Sequence, residues 1–148
     1  YRNCKPKDLI IKECLKNISK EIKDDVECIV IGSSLGGFLA VETALSHSNV
    51  TKIVLLNPAI IPMSEKITSD NTLPPRIFNE MKDPRIFNIK INSKILILVG
   101  TNDGVIPFSW IENFTKFQET DILFLDDDHS FTNNIDKLPD IIMDFINK

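Results

Sequence analysis

Residues 32–36 read Gly32-Ser33-Ser34-Leu35-Gly36, a serine held between glycines in G-x-S-x-G spacing. A turn that lifts a serine hydroxyl above a sheet edge brings helix backbone close to strand backbone. That leaves no room for Cβ atoms at 32 and 36, which is the steric reason for glycine there. A serine hydroxyl is a poor nucleophile unless a base takes its proton. A neutral imidazole does this at neutral pH, and a carboxylate orients and stabilises the imidazolium that forms. Both partners are present: Asp103 in Gly100-Thr101-Asn102-Asp103-Gly104, and His129 after Asp126-Asp127-Asp128. Ser34, Asp103 and His129 are thus candidate nucleophile, acid and base, in the chain order Ser…Asp…His. The backbone N–H of Leu35, at the positive end of the following helix, is a candidate oxyanion donor.

Each signal has a plainer reading. The pentapeptide alone arises by chance in roughly one chain in 20 of this length, as a Gly/Ser turn. An isolated aspartate on a strand-to-helix loop ordinarily caps the helix. The second histidine, His47, falls near a predicted helix C-terminus and is assigned the dipole-favoured role there. The run Asp126-Asp127-Asp128-His129 could offer a cation oxygen and nitrogen. However, consecutive residues cannot all converge on one ion and no second ligand cluster appears, so neither a metal nor a cofactor is expected. One of these aspartates could instead be the acid; Asp103 is preferred because it has a strand end to itself. Phe38, Ile60, Ile61 and Phe131 are candidates to line an acyl pocket, although apolar residues near a sheet rim more often belong to the core.

The elements that must position these residues follow from hydrophobic periodicity. Ile11, Cys14/Leu15, Ile18 and Ile22 form one helical stripe, in a pattern opened by Pro6 and Asp8. Residues 26–31 read as a buried strand ending at Gly32, and 35–46 as a helix with Leu35, Phe38/Leu39 and Leu45 inward. Strands are expected at 52–56, 94–99 and 122–125. Helices are expected near 75–82, from Pro107 (apolar face Trp110/Ile111, Phe114 and Phe117), and from Leu138 or Pro139 (Ile141/Ile142, Phe145 and Ile146). Residues 60–92 are the least regular and read as a short cap-like insertion. Arg-Ile-Phe occurs there twice, at 76–78 and 85–87, which one recurrence does not make an architectural repeat. Helix, then strand–helix four times, predicts an α/β domain over 1–148: a mostly parallel sheet covered on both faces. Active groups in such sheets gather beyond the carboxyl ends of the strands, where Ser34, Asp103 and His129 all fall.

These residues resemble a known family. Ile31-Gly32-Ser33-Ser34-Leu35-Gly36-Gly37 with Leu56-Asn57-Pro58-Ala59 looks like the small bacterial esterases of the YqiA-like (UPF0227) group of the α/β-hydrolases. Gly100-Thr101-Asn102-Asp103 with Val105-Ile106-Pro107, and His129-Ser130-Phe131, match that group's acid and histidine loops. The resemblance runs from about residue 26 to the end. It implies an α/β-hydrolase fold and esterase activity on short acyl esters, with Ser34 as nucleophile, Asp103 as acid and His129 as base. In one respect the chain departs from the pattern: no His-Gly segment, which ordinarily supplies the second oxyanion donor, precedes residue 26. The expectation is a native protein with a further N-terminal segment of several tens of residues.

Composition bounds the alternatives. The 148 residues are 43% apolar and 26% charged with a net charge of −4, enough for a core and not built to neutralise phosphates, so nucleic-acid binding is not expected. No apolar run reaches membrane-span length and the N-terminus is not a signal peptide. Three cysteines, Cys4, Cys14 and Cys28, form no disulfide framework; Cys14 and Cys28 read as small buried hydrophobes, and the setting reads as reducing and cytoplasmic. The partner expected is a small-molecule ester, with an exposed sheet edge favouring a homo-oligomer. Two other readings keep the fold: a thioesterase or amidase with the same three residues, and a non-catalytic binding module.

Overall fold

The computed structural model describes residues 8–66 and 74–148. Among them, strands β1 (Cys28–Ser33), β2 (Val50–Leu56), β3 (Lys94–Gly100) and β4 (Asp121–Leu125) form one sheet in that spatial order. All three pairings are parallel. Helices α1 (Ile11–Ile22), α2 (Leu35–Ser46), α3 (Pro75–Glu80), α4 (Phe108–Thr115) and α5 (Leu138–Ile146) alternate with the strands, and a 3₁₀ turn, Pro84–Phe87, follows α3. The register pairs Ser33 with Leu56, Leu56 with Leu98, and Gly100 with Leu125. The carboxyl ends of all four strands therefore share one rim.

Strand order equals chain order, and this decides which faces are covered. Right-handed crossovers that all step in one direction across a sheet lay their helices on one face. Accordingly α2, α3 and α4 pack on one side with α1, around Phe38, Ile53, Leu55, Ile97, Phe114 and their neighbours. Among the described residues the other face carries only α5: Leu138 and Phe145 meet Val54, Leu56, Leu96 and Leu98, with Phe131 at the rim. Each of these large apolar side chains contributes roughly 1.5–3 kcal/mol by leaving water. Coverage of both faces, as expected from the apolar strands, is therefore complete only on one. On the α5 face Ile29 and Ile31 of β1 stay 38% and 51% exposed. The far edge, β4, keeps Phe124 51% exposed.

Several boundaries move for physical reasons. The first strand runs over 28–33 rather than 26–31, because pairing begins at Cys28 opposite Val50 and Val26 stands out in solvent. The turn before it is tied down by Asn49 Nδ2, which donates to Ile22 O at 2.8 Å and Asp25 O at 3.1 Å. The first helix starts at Ile11, after Asp8; its predicted opening residue Pro6 lies outside the described residues. Glu80 of α3 accepts from Ile11 N at 3.3 Å in place of a capping side chain. Phe117, expected on the inner face of α4, lies beyond the helix end, where it stacks edge-on to Phe87 at 5.9 Å.

Residues 60–92 are less cap-like than their prolines suggest. The described part sends Ile60, Ile61, Ile77, Phe78, Met81, Ile86, Phe87 and Ile91 into the large core. Both Arg-Ile-Phe triplets bury the Ile and Phe and keep the Arg at the surface, the first in α3 and the second in the 3₁₀ turn. Arg85 bridges Glu42 of α2 (2.6 Å) and Asp83 (2.7 Å), and Gln118 bonds Ile86 O, Ile89 O and Ile91 N. This segment is thus stitched to α2 and to the end of α4 as part of the helical layer.

Candidate active site

Ser34 sits where β1 ends and α2 begins, with φ 53° and ψ −120°. A left-handed backbone on a non-glycine residue costs on the order of 1–3 kcal/mol and persists only where the surroundings enforce it. Here they do. Ser34 N donates to Leu56 O at 2.9 Å, and Ala59 N donates to Ser34 O at 2.9 Å. A Cβ on Gly32 would meet Gly36 O at 2.1 Å, and one on Gly37 would meet Pro58 Cβ at 2.6 Å. The turn therefore closes only with hydrogen in both places. A serine preceding a helix ordinarily caps it, but the Ser34 side chain makes no capping bond. Its hydroxyl stays available at the rim. Leu35 is the first residue of α2, so its N–H is one of the first-turn donors that lack an intrahelical acceptor.

Asp103 uses its two carboxylate oxygens on different partners. Its Oδ1 accepts from Val105 N at 2.7 Å and Ile106 N at 3.1 Å, an ordinary loop brace before α4. Its Oδ2 lies 2.9 Å from His129 Nδ1. The Asp103 side chain is 5% exposed and that of His129 24%. A carboxylate can only accept, so Nδ1–H is the donor in this bond. The Asp103 carboxylate thus holds the imidazole in one orientation. Among the described residues no hydrogen bond joins Ser34 Oγ to His129. Such contacts often tighten only when substrate is bound.

The neighbouring aspartates hold the histidine loop. Asp127, fully buried, accepts from Asp128 N, Asn133 N, Asn134 N and Asn134 Nδ2 at 2.8–3.1 Å. Burial works to raise its pKa, but these donors outweigh it and hold the carboxyl below its usual range. Asp128 accepts from Thr132 Oγ1, Thr132 N and Ser130 N, and the Thr132 hydroxyl above all holds it low. Asp126 accepts from Asn102 Nδ2 at 2.8 Å. Among the described residues no group of three or more His, Cys, Asp or Glu is placed to hold a metal ion. His47 closes α2, its Nδ1 3.1 Å from Thr43 O. Cys14 and Cys28 are buried and not bridged to each other.

Two buried polar residues escaped the reading of the sequence. Asp127 looked like one of three interchangeable acids. Asn57, in Leu56-Asn57-Pro58-Ala59, looked like a strand-ending turn residue. In fact it is fully buried with φ 41°, and bonded to β3 and to the histidine loop. The left-handed φ, which Asn tolerates better than most residues, has no sequence signature beyond Asn itself.

The four apolar residues offered as an acyl-pocket lining do not share a pocket. Phe38, Ile60 and Ile61 are 0–1% exposed in the core under α2, and Phe131 is 1% exposed in the cluster on the opposite face. A cavity of about 290 Å³ opens instead beside Asp103, lined by Val99, Ile106, Phe108, Ile111 and Phe124 with Asn57 at its polar side. No helix among the described residues is long and apolar enough to cross a membrane.

Solved structures share this fold. The mouse α/β-hydrolase domain-containing protein 10 superposes with a TM-score of 0.73 at 18% identity, over 95% of this chain and 71% of that one. A carboxylesterase of Nitrososphaera gargenis superposes with a TM-score of 0.69 at 15% identity, over 94% of this chain and 72% of that one. At such identities the likeness establishes the α/β-hydrolase fold. A UPF0227 protein of Shewanella woodyi is 29% identical over 97 residues, which are 63% of this chain and 52% of that protein. The chain thus spans about half the length of the curated relative it matches. The profile of the uncharacterised protein family UPF0227 matches residues 3–147, and the chain belongs to that family.

Proposed function

We propose that this chain carries the catalytic residues of a serine hydrolase that cleaves small acyl esters through an acyl-enzyme. The observation that carries the reading is the Asp103–His129 hydrogen bond of 2.9 Å, on the same rim as a serine held at φ 53°. Ser34 Oγ attacks the ester carbonyl carbon and its proton passes to His129 Nε2. The tetrahedral oxyanion accepts a hydrogen bond from Leu35 N–H. Collapse expels the alcohol, which takes the proton from His129 and leaves Ser34 acylated. Water, deprotonated by His129, then attacks the acyl carbon, and release of the acid restores the serine. Asp103 keeps the ring in the Nδ1–H tautomer and balances the imidazolium. At about 290 Å³ the cavity beside Asp103 lies at the small end of ligand sites, which supports a short acyl substrate.

The native protein, given p-nitrophenyl acetate, a short acyl thioester and an acyl amide in parallel, is expected to turn over the oxygen ester fastest and to lose that turnover in Ser34→Ala. Faster thioester or amide cleavage would reassign the substrate class. No Ser34-dependent turnover of any of the three would favour a binding module.

A further inference from the structure

The geometry points to Asn57 as a positioning residue that fixes where His129 stands relative to Ser34; this rests on the serine-hydrolase reading above. Asn57 spends its hydrogen-bonding groups on elements distant in sequence. Its Nδ2 donates to two consecutive carbonyls of the histidine loop, Asp128 O at 3.3 Å and His129 O at 3.1 Å. Its Oδ1 accepts from Gly100 N at 2.8 Å, and its own N–H donates to Leu98 O at 3.0 Å. The amide can take only this orientation. Flipped, it would aim a donor at Gly100 N–H and its oxygen at two carbonyls.

Its flanking residues hold the serine. Leu56 O accepts from Ser34 N, and Ala59 N donates to Ser34 O. The turn 56–59 therefore grips the nucleophile with its backbone and the histidine loop with one side chain. The remaining ties of that loop run to the acid loop: Asn102 N to Asp127 O at 2.9 Å, Asn102 Nδ2 to Asp126, and Asp103 to His129. Those bonds join acid to base, and none of them reaches the strand end that holds Ser34. Phe131 packs in one apolar cluster with Leu56, and Asn57 adds the direct side-chain hydrogen bonds, among the described residues, between the histidine loop and the strand end that holds the serine. The fit is close: a Cβ on Gly100 would meet Asp128 O at 2.6 Å, Asp127 O at 2.8 Å and Asn57 Nδ2 at 3.2 Å. Buried polar groups joined this way define one arrangement, because any other leaves donors and carbonyls unpaired.

The test is Asn57→Asp in the native protein. Asp is nearly isosteric, tolerates the left-handed φ and keeps an acceptor for Gly100 N–H. It turns the donor facing Asp128 O and His129 O into an acceptor. A displacement of about 1 Å at a reacting group costs on the order of 10²-fold. The expected result is a kcat on p-nitrophenyl acetate lowered about 10²-fold with KM close to that of the native protein. The hydrogen-bonded His129 Nδ1–H proton resonance should shift or broaden, which a merely structural defect elsewhere would not cause. Asn57→Gly, which accepts positive φ and deletes the amide, should move both readouts the same way. A folded Asn57→Asp protein with native kcat and an unmoved resonance overturns the inference. So does failure of both variants to fold, since the joint would then serve the fold and not the base. Ser34→Ala run alongside separates the two claims. If it retains turnover, the hydrolase reading falls; if it is inactive while Asn57→Asp is fully active, only the positioning role falls.

Discussion

His129→Ala is expected to lower p-nitrophenyl acetate turnover by at least about 10³-fold, the size of loss that follows removal of a triad member. Without the imidazole, the Ser34 hydroxyl has no base, and the departing alcohol has no acid. The loss should fall in kcat with little change in KM, because proton transfer is made in the transition state and not in binding. Folding should survive, since the His129 side chain is partly exposed and, among the described residues, its ring bonds to Asp103 alone. Steady-state kinetics checked against the thermal midpoint separates the two effects. A folded variant that keeps most of its turnover removes His129 as the base.

Glu42→Gln is expected to flatten the dependence of stability on pH between about 5 and 8, a window set by the range of Glu42's own titration. Glu42 is buried on α2 beside Arg85 and Asp83, and its Oε1 has no hydrogen-bond partner. Burial first, then the charge of Asp83, pushes its carboxyl from the ordinary 4.5 to about 7, against the pull of Arg85. Asp83 goes the other way: burial raises it, but side-chain and backbone bonds to Arg85 outweigh that and hold it low. The sign for Glu42 follows from which state holds the proton more tightly. The folded protein does, so this contribution is fully present below pH 4.5 and is lost as pH rises through about 7. The gap corresponds to about 3 kcal/mol at most. Glutamine still accepts from Arg85 and carries no charge to desolvate. Thermal midpoints of the two proteins should coincide near pH 5 and diverge by pH 8 (rough bounds of the linkage window), with the variant the more stable. Parallel curves would show that Glu42 does not titrate in this range.

The parts legible in the sequence were those that local chemistry determines. Apolar runs ending at Gly32, Asn57-Pro58, Gly100 and Asp126 gave β1 to β4 within two residues, and the order of elements gave a parallel sheet with Ser34, Asp103 and His129 beyond three strand ends. The uncovered α5 face follows from crossover handedness and strand order together, not from any one strand. Ile29 and Ile31 look as buried as Ile53 and Leu55 when read along the chain. Asn57 and Asp127 were hidden for a different reason. The partners of Asn57 lie 71 and 72 residues downstream, and nothing about an Asn-Pro pair announces them. The same limit applied to Phe38, Ile60, Ile61 and Phe131. Apolarity near a rim does not say which side of the sheet a residue fills, and the cavity beside Asp103 is walled by α4 and β4 instead.

The central claim is that Ser34 is the nucleophile, and covalent capture tests it most directly. The native protein is treated with a fluorophosphonate probe, digested, and the modified residue located by mass spectrometry, with Ser34→Ala treated in parallel. A single phosphonylated residue, Ser34, is expected, with no adduct in the alanine variant. An adduct on Ser33, or equal labelling of the variant, would contradict it.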